Sequence, residues 1–425
     1  MELSLDGLAS IGCHEHVPDT ALGARWDALA GALEQYRDVL DGRVTDSSVP
    51  LPLVTRDWAG TLLSLTEAEL VELEISGCEA TPPARFPESL RSLHALSAEL
   101  CTLPALGGVA PPTRKLRRLE TPRKRAQVEA LARLARPLLE AATRVVEVGA
   151  GHGHLAREVA LSNDRPVVAL ERDPEITAKS RTLGDDDRLT FREVDVLREG
   201  LGLAEGDCAL GLHACGELGD ALIAGVAERA DSVLLVGCCL QKLRADVRVP
   251  LNAGRAQSAH VSFPKSLLGL SNFTPREQGV EATRSENVAA HERRLALHAL
   301  LSAAAGPIRF GSEMDGLNRR AAHGSLEAML ACATAKRGLA MPSSDAIEDA
   351  KRAARALHDH IRRLSLPRIL LGRVLEIFIF IDRALFLESA GFEVTIGTAF
   401  PKEISARNLT ILGRRRAPGR PVTTA

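Results

Sequence analysis

Residues 145–155 read Val145-Val146-Glu147-Val148-Gly149-Ala150-Gly151-His152-Gly153-His154-Leu155, and they are the starting point for interpreting the rest of the chain. A short run of mostly β-branched residues leads into alternating glycines and then into the start of a helical pattern. Glycines at such a turn let the backbone bend tightly and approach a ligand that a Cβ atom would block. The segment therefore predicts a strand, a ligand-binding turn and a helix, in that order.

Strand patterns alternate with helical patterns on the C-terminal side of this segment. The strand candidates are residues 144–148, 167–170, 189–194, 208–212, 233–236, 392–398 and 409–412. Strand and helix alternating in this way are typical of a parallel sheet covered on both faces. The last two candidates come so late that we expect them to complete the same sheet. The predicted fold class is α/β, a doubly wound Rossmann-like sheet with a helical N-terminal domain and a helical insertion.

Breaks in the pattern divide the chain into five predicted segments. They are a helical N-terminal domain (1–112), a ligand-binding core (113–244), an insertion that caps the site (245–345), C-terminal helices with the last two strands (346–416), and a tail (417–425). Within the fourth segment, Pro367 is expected to end one helix before a second, apolar helix begins at Ile369.

Composition excludes several classes of protein. A hydrophobic content of 45% and a charged content of 25% exclude disordered, collagen-like and coiled-coil chains, and a net charge of -2 argues against a general polyanion binder. The apolar run 369–386 is interrupted by charges, and the first residues lack the features of a secretory signal. The 8 Cys show no framework spacing. We therefore expect a cytoplasmic protein with reduced thiols and no membrane partner.

Acidic residues accompany the first three strands of the predicted sheet. Glu147 precedes the glycines, Glu171 ends the second strand at the spacing of a ribose-binding carboxylate, and Asp195 follows the third strand, where it is expected to meet an adenine amino group. The Glu-x-Gly-x-Gly-x-Gly pattern resembles the first motif of class I S-adenosylmethionine-dependent methyltransferases. The resemblance implies S-adenosylmethionine as the cofactor. The alternative is another Rossmann-like enzyme, such as one that binds a dinucleotide.

The ends of the fourth and fifth strands extend this resemblance. They read His213-Ala214-Cys215-Gly216 and Gly237-Cys238-Cys239, and the upstream segment reads Thr121-Pro122-Arg123-Lys124. Together with Phe263-Pro264-Lys265-Ser266 and Ser405-Ala406-Arg407-Asn408, they resemble the methyltransferase-like family formerly named after an rRNA adenine dimethylase domain. The zinc-finger tRNA ribose 2′-O-methyltransferases are similar at a greater distance. The expected cofactor-binding residues are Lys124, Glu147, Gly149, Ala150, Gly151, Gly153, Glu171, Arg172, Asp195, Val196, His213, Ala214 and Gly216.

His213 and Cys215 are the candidate catalytic residues. His213 fits a general base or a group that positions the acceptor, because imidazole titrates near neutrality. The alternative is that His213 and the cysteines are small packing residues at tight turns. No metal is expected, because zinc sites usually have C-x₂₋₄-C spacing and the adjacent Cys238 and Cys239 would point in opposite directions on a strand end.

The predicted function is transfer of a methyl group to a nitrogen or oxygen nucleophile of an unidentified substrate, with RNA and protein as candidate acceptors. One alternative is an RNA methyltransferase in which the basic run Arg114–Arg118 holds phosphates. Another is a cofactor-binding protein that acts through partner contacts without catalysis. Adenine dimethylation is disfavoured, because the segment His213–Gly216 offers no aromatic face on which a base would stack.

Overall fold

The computed structural model of the 425-residue chain describes residues 21–108, 111, 113–184, 187–252, 255, 262–272 and 284–417. Its strands are β1 (Arg144–Val148), β2 (Val167–Glu171), β3 (Leu189–Glu193), β4 (Asp207–Leu212), β5 (Ser232–Val236), β6 (Val247–Arg248), β7 (Phe263–Pro264), β8 (Phe392–Thr398) and β9 (Leu409–Arg415). The predicted bounds of β1 and β8 are confirmed, and the other predicted strands differ by at most three residues.

Among the described residues, seven strands form one sheet in the order β3-β2-β1-β4-β5-β9-β8. Strands β1 to β5 pair in parallel, while β9 is antiparallel to both β5 and β8. The late strands therefore complete the sheet, and the predicted α/β Rossmann-like fold is confirmed. The strand order reverses between β1 and β4, and ligands of open α/β sheets bind beside the carboxyl ends of strands at such a point.

The sheet is stabilised by burial of its apolar strands against helices. All five residues of β5 and all six of β4 are buried. The helices Pro122–Leu139 and His154–Ser162 contribute Leu131 and Leu155 to the same core, and both side chains are completely buried. Each such side chain contributes roughly 1.5–3 kcal/mol. This packing fixes the position of the turns that connect the strands to their helices.

The α-helices of the described residues have the following bounds. They are Ala21–Gln35, Arg37–Asp41, Leu51–Thr55, Ala59–Leu63, Glu67–Ser76, Glu88–Cys101, Pro122–Leu139, His154–Ser162, Pro174–Arg181, Val196–Glu199, Glu217–Arg229, Lys265–Leu268, Arg284–Ala305, Leu326–Arg337 and Ser344–Ser389. Short 3₁₀ segments occur at Gly77–Glu79, Gly269–Asn272, Ser312–Met314 and Arg319–His323.

The predicted helix end at Pro367 is wrong. One 46-residue helix runs from Ser344 to Ser389 and contains Pro367. A proline inside a helix costs about 3 kcal/mol, because it removes a hydrogen bond and crowds the preceding turn. Buried leucines flank this position, among them Leu364 and Leu371. Their burial offsets the cost, so the helix continues through the proline.

The chain divides into two compact units. One consists of Met1–Arg37, Leu96–Thr274 and Leu371–Ala425 and contains the seven-stranded sheet, and the other consists of Asp38–Ala95 and Pro275–Leu370. The second unit has its own core, to which helices Arg284–Ala305 and Leu326–Arg337 contribute. This division groups part of the predicted N-terminal domain with most of the predicted insertion, and the five predicted boundaries stay predictions. Within the described ranges, every helix is too short or too polar to cross a membrane.

Candidate functional site

The turn after β1 is built from glycines in the left-handed region of backbone conformation. Gly149, Gly151 and Gly153 have φ values of 69°, 56° and 68°. Residues with a Cβ atom adopt this region at a cost of roughly 1–2 kcal/mol. The backbone N–H groups of Gly149 and Ala150 donate to the carbonyl oxygen of Leu170 at 3.0 and 2.9 Å. The turn is therefore attached to the end of β2.

The same turn is packed on one side and open on the other. A Cβ atom on Gly153 would lie 2.4 Å from the ring of Phe191, so a side chain at this position would have to displace that ring. A Cβ atom on Gly151 would meet nothing within 4 Å. The neighbouring Ala150 is buried. Gly151 thus borders free space into which a ligand can approach the backbone.

Glu171 lies at the edge of this turn, at the end of β2. Its Oε2 atom accepts a hydrogen bond from the N–H of Gly151 at 2.9 Å. Its Oε1 atom accepts from the N–H groups of Arg172 at 2.9 Å and Asp173 at 3.1 Å. The side chain of Arg172 is exposed. The carboxylate of Glu171 is therefore held in place by backbone donors.

Asp195 and Val196 follow β3, the strand next to β2. Glu171 and Glu193 are register partners across these two strands, so Asp195 lies beyond the same carboxyl edge of the sheet. Its Oδ1 atom accepts from the N–H of Leu197 at 3.2 Å and caps the short helix Val196–Glu199. Both Asp195 and Val196 are half-buried. The structure thus brings the predicted ribose-binding and adenine-binding carboxylates to one edge.

Glu147 is buried beside the turn, and the charge of the half-buried Lys124 acts on it. Burial raises the pKa of Glu147 to about 7, although the charge of Lys124 and the N–H of Ala156 oppose this shift. The Oε2 atom of Glu147 accepts from that N–H at 2.8 Å. Burial lowers the pKa of Lys124, and the charges of Glu147 and Glu120 act in the opposite direction. Lys124 lies in the first turn of its helix, whose N-cap Thr121 accepts from its N–H.

His213 occupies a strained position at the end of β4. Its φ is 71°, which is rare for a residue with a Cβ atom, and such strain occurs preferentially at functional sites. Its Nε2 atom lies 3.2 Å from Oε1 of Gln127. The backbone N–H of His213 donates to the carbonyl oxygen of Val236 at 2.8 Å. The next residue, Ala214, is buried. The imidazole and its backbone are therefore both fixed.

Gly216 closes this turn under tight constraints. Its φ is 53°, and a Cβ atom there would lie 2.2 Å from the carbonyl oxygen of Lys242. Its own carbonyl oxygen accepts from Nη2 of Arg383 at 2.9 Å. The fully buried Arg383 also donates to Asp220, and Asp220 in turn binds Arg248 at 2.9 Å. A buried network of charges thus holds the turn that ends β4.

Three cysteine sulfurs meet at the ends of β4 and β5. Cys215 and Cys238 form a disulfide with a Cα–Cα distance of 5.2 Å, so the expectation of reduced thiols is wrong for this pair. The sulfur of Cys239 lies within 4.8 Å of both. The prediction that Cys238 and Cys239 point apart is also wrong, because β5 ends at Val236 and strand alternation does not apply beyond it. A catalytic role of Cys215 stays a prediction, for the reduced chain.

The basic run Arg114–Arg118 is partly neutralised. Arg114 binds Glu120 at 2.6 Å and Glu158 at 2.6 Å, and Arg117 binds Glu158 at 2.7 Å. Glu120 is buried. These ion pairs engage two of the guanidinium groups on which the predicted phosphate clamp depends.

The comparison with protein families concerns this same part of the chain. Residues 123–246, which include β1 to β5, match the family described as a methyltransferase domain. The match extends over this segment of the chain and makes it similar to methyltransferase domains. This match supports the predicted enzyme class, a methyltransferase.

Among solved structures, the chain is similar to coclaurine N-methyltransferase bound to N-methylheliamine and SAH. The sequence identity is 13% and the TM-score is 0.22, over 50% of this chain and 56% of that one. The chain thus spans little more than half the length of that protein. The fold assignment rests on the strand order of the seven-stranded sheet itself.

Three residues that position the candidate site escaped the sequence analysis. They are Gln127, Phe191 and Ser180. Gln127 could have been recognised from the sequence, because it is a polar residue next to Val128 on the apolar side of its helix. The buried Ser180 donates to the carbonyl oxygen of Gly151 at 3.1 Å, a contact between distant positions that no local pattern reveals.

Proposed function

We propose that this chain transfers a methyl group from S-adenosylmethionine to a nitrogen or oxygen nucleophile of a substrate that is not yet identified. The observation that carries the proposal is the arrangement around Gly151. An open left-handed glycine, the carboxylate of Glu171 bound to its N–H, and Asp195 one strand further lie along the carboxyl edge of adjacent parallel strands.

The residues of this edge fit the three parts of such a cofactor. The backbone of Gly149–Gly153 would contact the amino-acid part, where Lys124 and Glu147 supply charges opposite to its carboxylate and its ammonium. Glu171 would accept hydrogen bonds from the ribose hydroxyls, and Asp195 would accept one from the adenine amino group. When bound, S-adenosylmethionine supplies an electrophilic methyl group on a sulfonium.

The chain would then contribute to the reaction mainly by orienting the methyl acceptor and by excluding water from the site. His213 is held by Gln127 and by the backbone of Val236, and its imidazole would accept a proton from the methyl acceptor or orient it. Ala214 and Gly216 would form the floor of the site. With two guanidinium groups of the basic run bound to glutamates, we do not assign phosphates to that run, and RNA is one outcome of the acceptor assay.

Two measurements, made one after the other, test the proposal. Thermal unfolding with S-adenosylmethionine should show stabilisation, while NAD should have no effect, and the Gly151→Asp variant should not respond to either. Incubation of a cell extract with the chain and methyl-labelled S-adenosylmethionine should then place label in one of the RNA, protein or small-molecule fractions. Stabilisation without label in any fraction supports the non-catalytic alternative, and the absence of stabilisation contradicts donor binding.

A further inference from the structure

The three cysteines beside the proposed cofactor site have an arrangement that a disulfide alone does not explain. The disulfide uses Cys215 and Cys238 and leaves the sulfur of Cys239 within 4.8 Å of both. The three residues come from the ends of two neighbouring strands, β4 and β5. A group that uses all three sulfurs at once accounts for this convergence.

We propose that the reduced thiols of Cys215, Cys238 and Cys239 bind one thiophilic metal ion of the Zn²⁺ type. Thiolate sulfurs are the protein ligands that such ions prefer, with metal–sulfur distances of about 2.3 Å. In a tetrahedron this places the sulfurs roughly 3.8 Å apart. The sulfurs in the structure lie within 4.8 Å of one another, so side-chain movements of about 1 Å bring them to that geometry.

The chemical balance of this step is simple. Two molecules of a small thiol reduce the Cys215–Cys238 disulfide to two protein thiols and become one external disulfide. Binding of the ion then releases the protons of the three thiols, because the thiolates are the ligands. Oxidation of the pair by the external disulfide, which takes up the two electrons and becomes two small thiols again, removes two ligands and releases the ion. Disulfide and metal site are therefore two exclusive states of the same residues.

The surroundings of the sulfurs suit a metal–thiolate group. Cys238 is buried, while Cys215 and Cys239 are half-buried. Nη1 of Arg407 lies 3.3 Å from the sulfur of Cys239. Three thiolates on a divalent ion carry one net negative charge, which a guanidinium donor stabilises from the outer shell. The group found among the described residues supplies three ligands, and the fourth position is left for water or another ligand.

Cobalt titration of the reduced chain tests the proposal. The chain is reduced with a phosphine, desalted under nitrogen and titrated with Co²⁺. We expect one Co²⁺ per chain, with thiolate-to-metal charge-transfer absorption and the visible bands of tetrahedral coordination, and displacement by Zn²⁺. The Cys239→Ser variant should lose this spectrum, whereas the matched control Cys332→Ser, which changes an exposed cysteine, should keep it. The Arg407→Met variant should keep the spectrum and bind Co²⁺ about ten- to hundredfold more weakly.

A second measurement uses the wild-type chain, so it does not depend on the folding of a variant. Zn²⁺ should protect Cys215, Cys238 and Cys239 from alkylation and leave Cys332 reactive, as read by peptide mass spectrometry. Equal alkylation with and without Zn²⁺, or a cobalt spectrum that is unchanged in Cys239→Ser, overturns the proposal. Neither readout requires methyl transfer, so failure of the metal site and failure of the proposed function are distinguishable.

Discussion

The carboxylate of Glu171 accepts a hydrogen bond of 2.9 Å from the backbone N–H of Gly151. This contact joins the end of β2 to the turn after β1, twenty residues earlier in the chain. The side chain proposed to bind the ribose thus also orders the turn proposed to bind the rest of the cofactor. A change at either residue is expected to affect the same binding event.

Replacement of Glu171 by glutamine removes the charge and converts one acceptor oxygen into a donor. A hydrogen bond to a charged group contributes about 1.5–3 kcal/mol, so we expect the affinity for S-adenosylmethionine to fall about ten- to hundredfold. Calorimetric titration measures this change. Glu193→Gln is the matched control, because Glu193 is the exposed register partner of Glu171 on β3. Equal affinity of the two variants would argue against a role of Glu171 in binding.

Replacement of Gly151 by aspartate places a side chain in the open space of the turn, next to Glu171. We expect cofactor binding to be lost, because the side chain fills the proposed site and adds a negative charge there. Gly338→Asp is the control for backbone strain: Gly338 has a φ of 65°, is equally open, and caps the helix Leu326–Arg337 outside the sheet unit. Calorimetry should detect wild-type binding in the control and none in Gly151→Asp. Unchanged binding in both variants would place the cofactor elsewhere.

Sequence patterns predicted the sheet well because its strands are short, rich in β-branched and other apolar residues, and bounded by turns. β1 and β8 have the predicted bounds, and the late return of β8 and β9 to the sheet was also predictable. The helix end at Pro367 was not predictable, because local propensity disfavours a proline that the burial of neighbouring leucines makes tolerable. Whether the cost of the proline or the burial of the leucines prevails depends on tertiary packing, which a local sequence pattern does not contain.

The buried carboxyl of Glu147 makes stability depend on pH. Its pKa is raised from 4.5 to about 7, so the folded state binds the proton more tightly than the unfolded state. The contribution of this carboxyl to stability is therefore fully present below about pH 4.5 and is lost as the pH rises through 7. Relative to Glu147→Gln, which keeps an acceptor for the N–H of Ala156, the wild type should lose roughly 3 kcal/mol of unfolding free energy over this window.

Urea unfolding at several pH values between 4 and 8 measures this difference. The control is Glu140→Gln, an exposed glutamate at the end of the helix that precedes β1. It should follow the pH dependence of the wild type. Parallel curves for the wild type and Glu147→Gln would show that burial of this carboxyl does not control its ionisation.

Arg383 should contribute more to stability than an exposed arginine does. Replacement by methionine leaves Asp220 with Arg248 as its remaining guanidinium partner and removes one of the donors to the carbonyl oxygen of Gly216. Loss of one partner from a buried network costs about 3 kcal/mol. Arg229→Met, which breaks an exposed pair with Glu228, should cost less than about 0.5 kcal/mol. Equal costs in urea unfolding would contradict the importance of the network.

The candidate site was only partly predictable. Carboxylates that end successive parallel strands must lie at one edge of the sheet, so Glu171 and Asp195 were foreseeable from topology. The convergence of Cys215, Cys238 and Cys239 was not, because it depends on the direction of the loop after β5. The partners of His213 and Gly216 come from helices distant in sequence, at Gln127 and Arg383.

A crystal structure of the chain with S-adenosylhomocysteine tests the central claim most directly. We expect electron density for one molecule at the turn Gly149–Gly153, with its ribose hydroxyls within hydrogen-bond distance of the Glu171 carboxylate and its adenine next to Asp195. Density at another place on the chain, or a crystal that takes up none at saturating concentration, would contradict the proposed site.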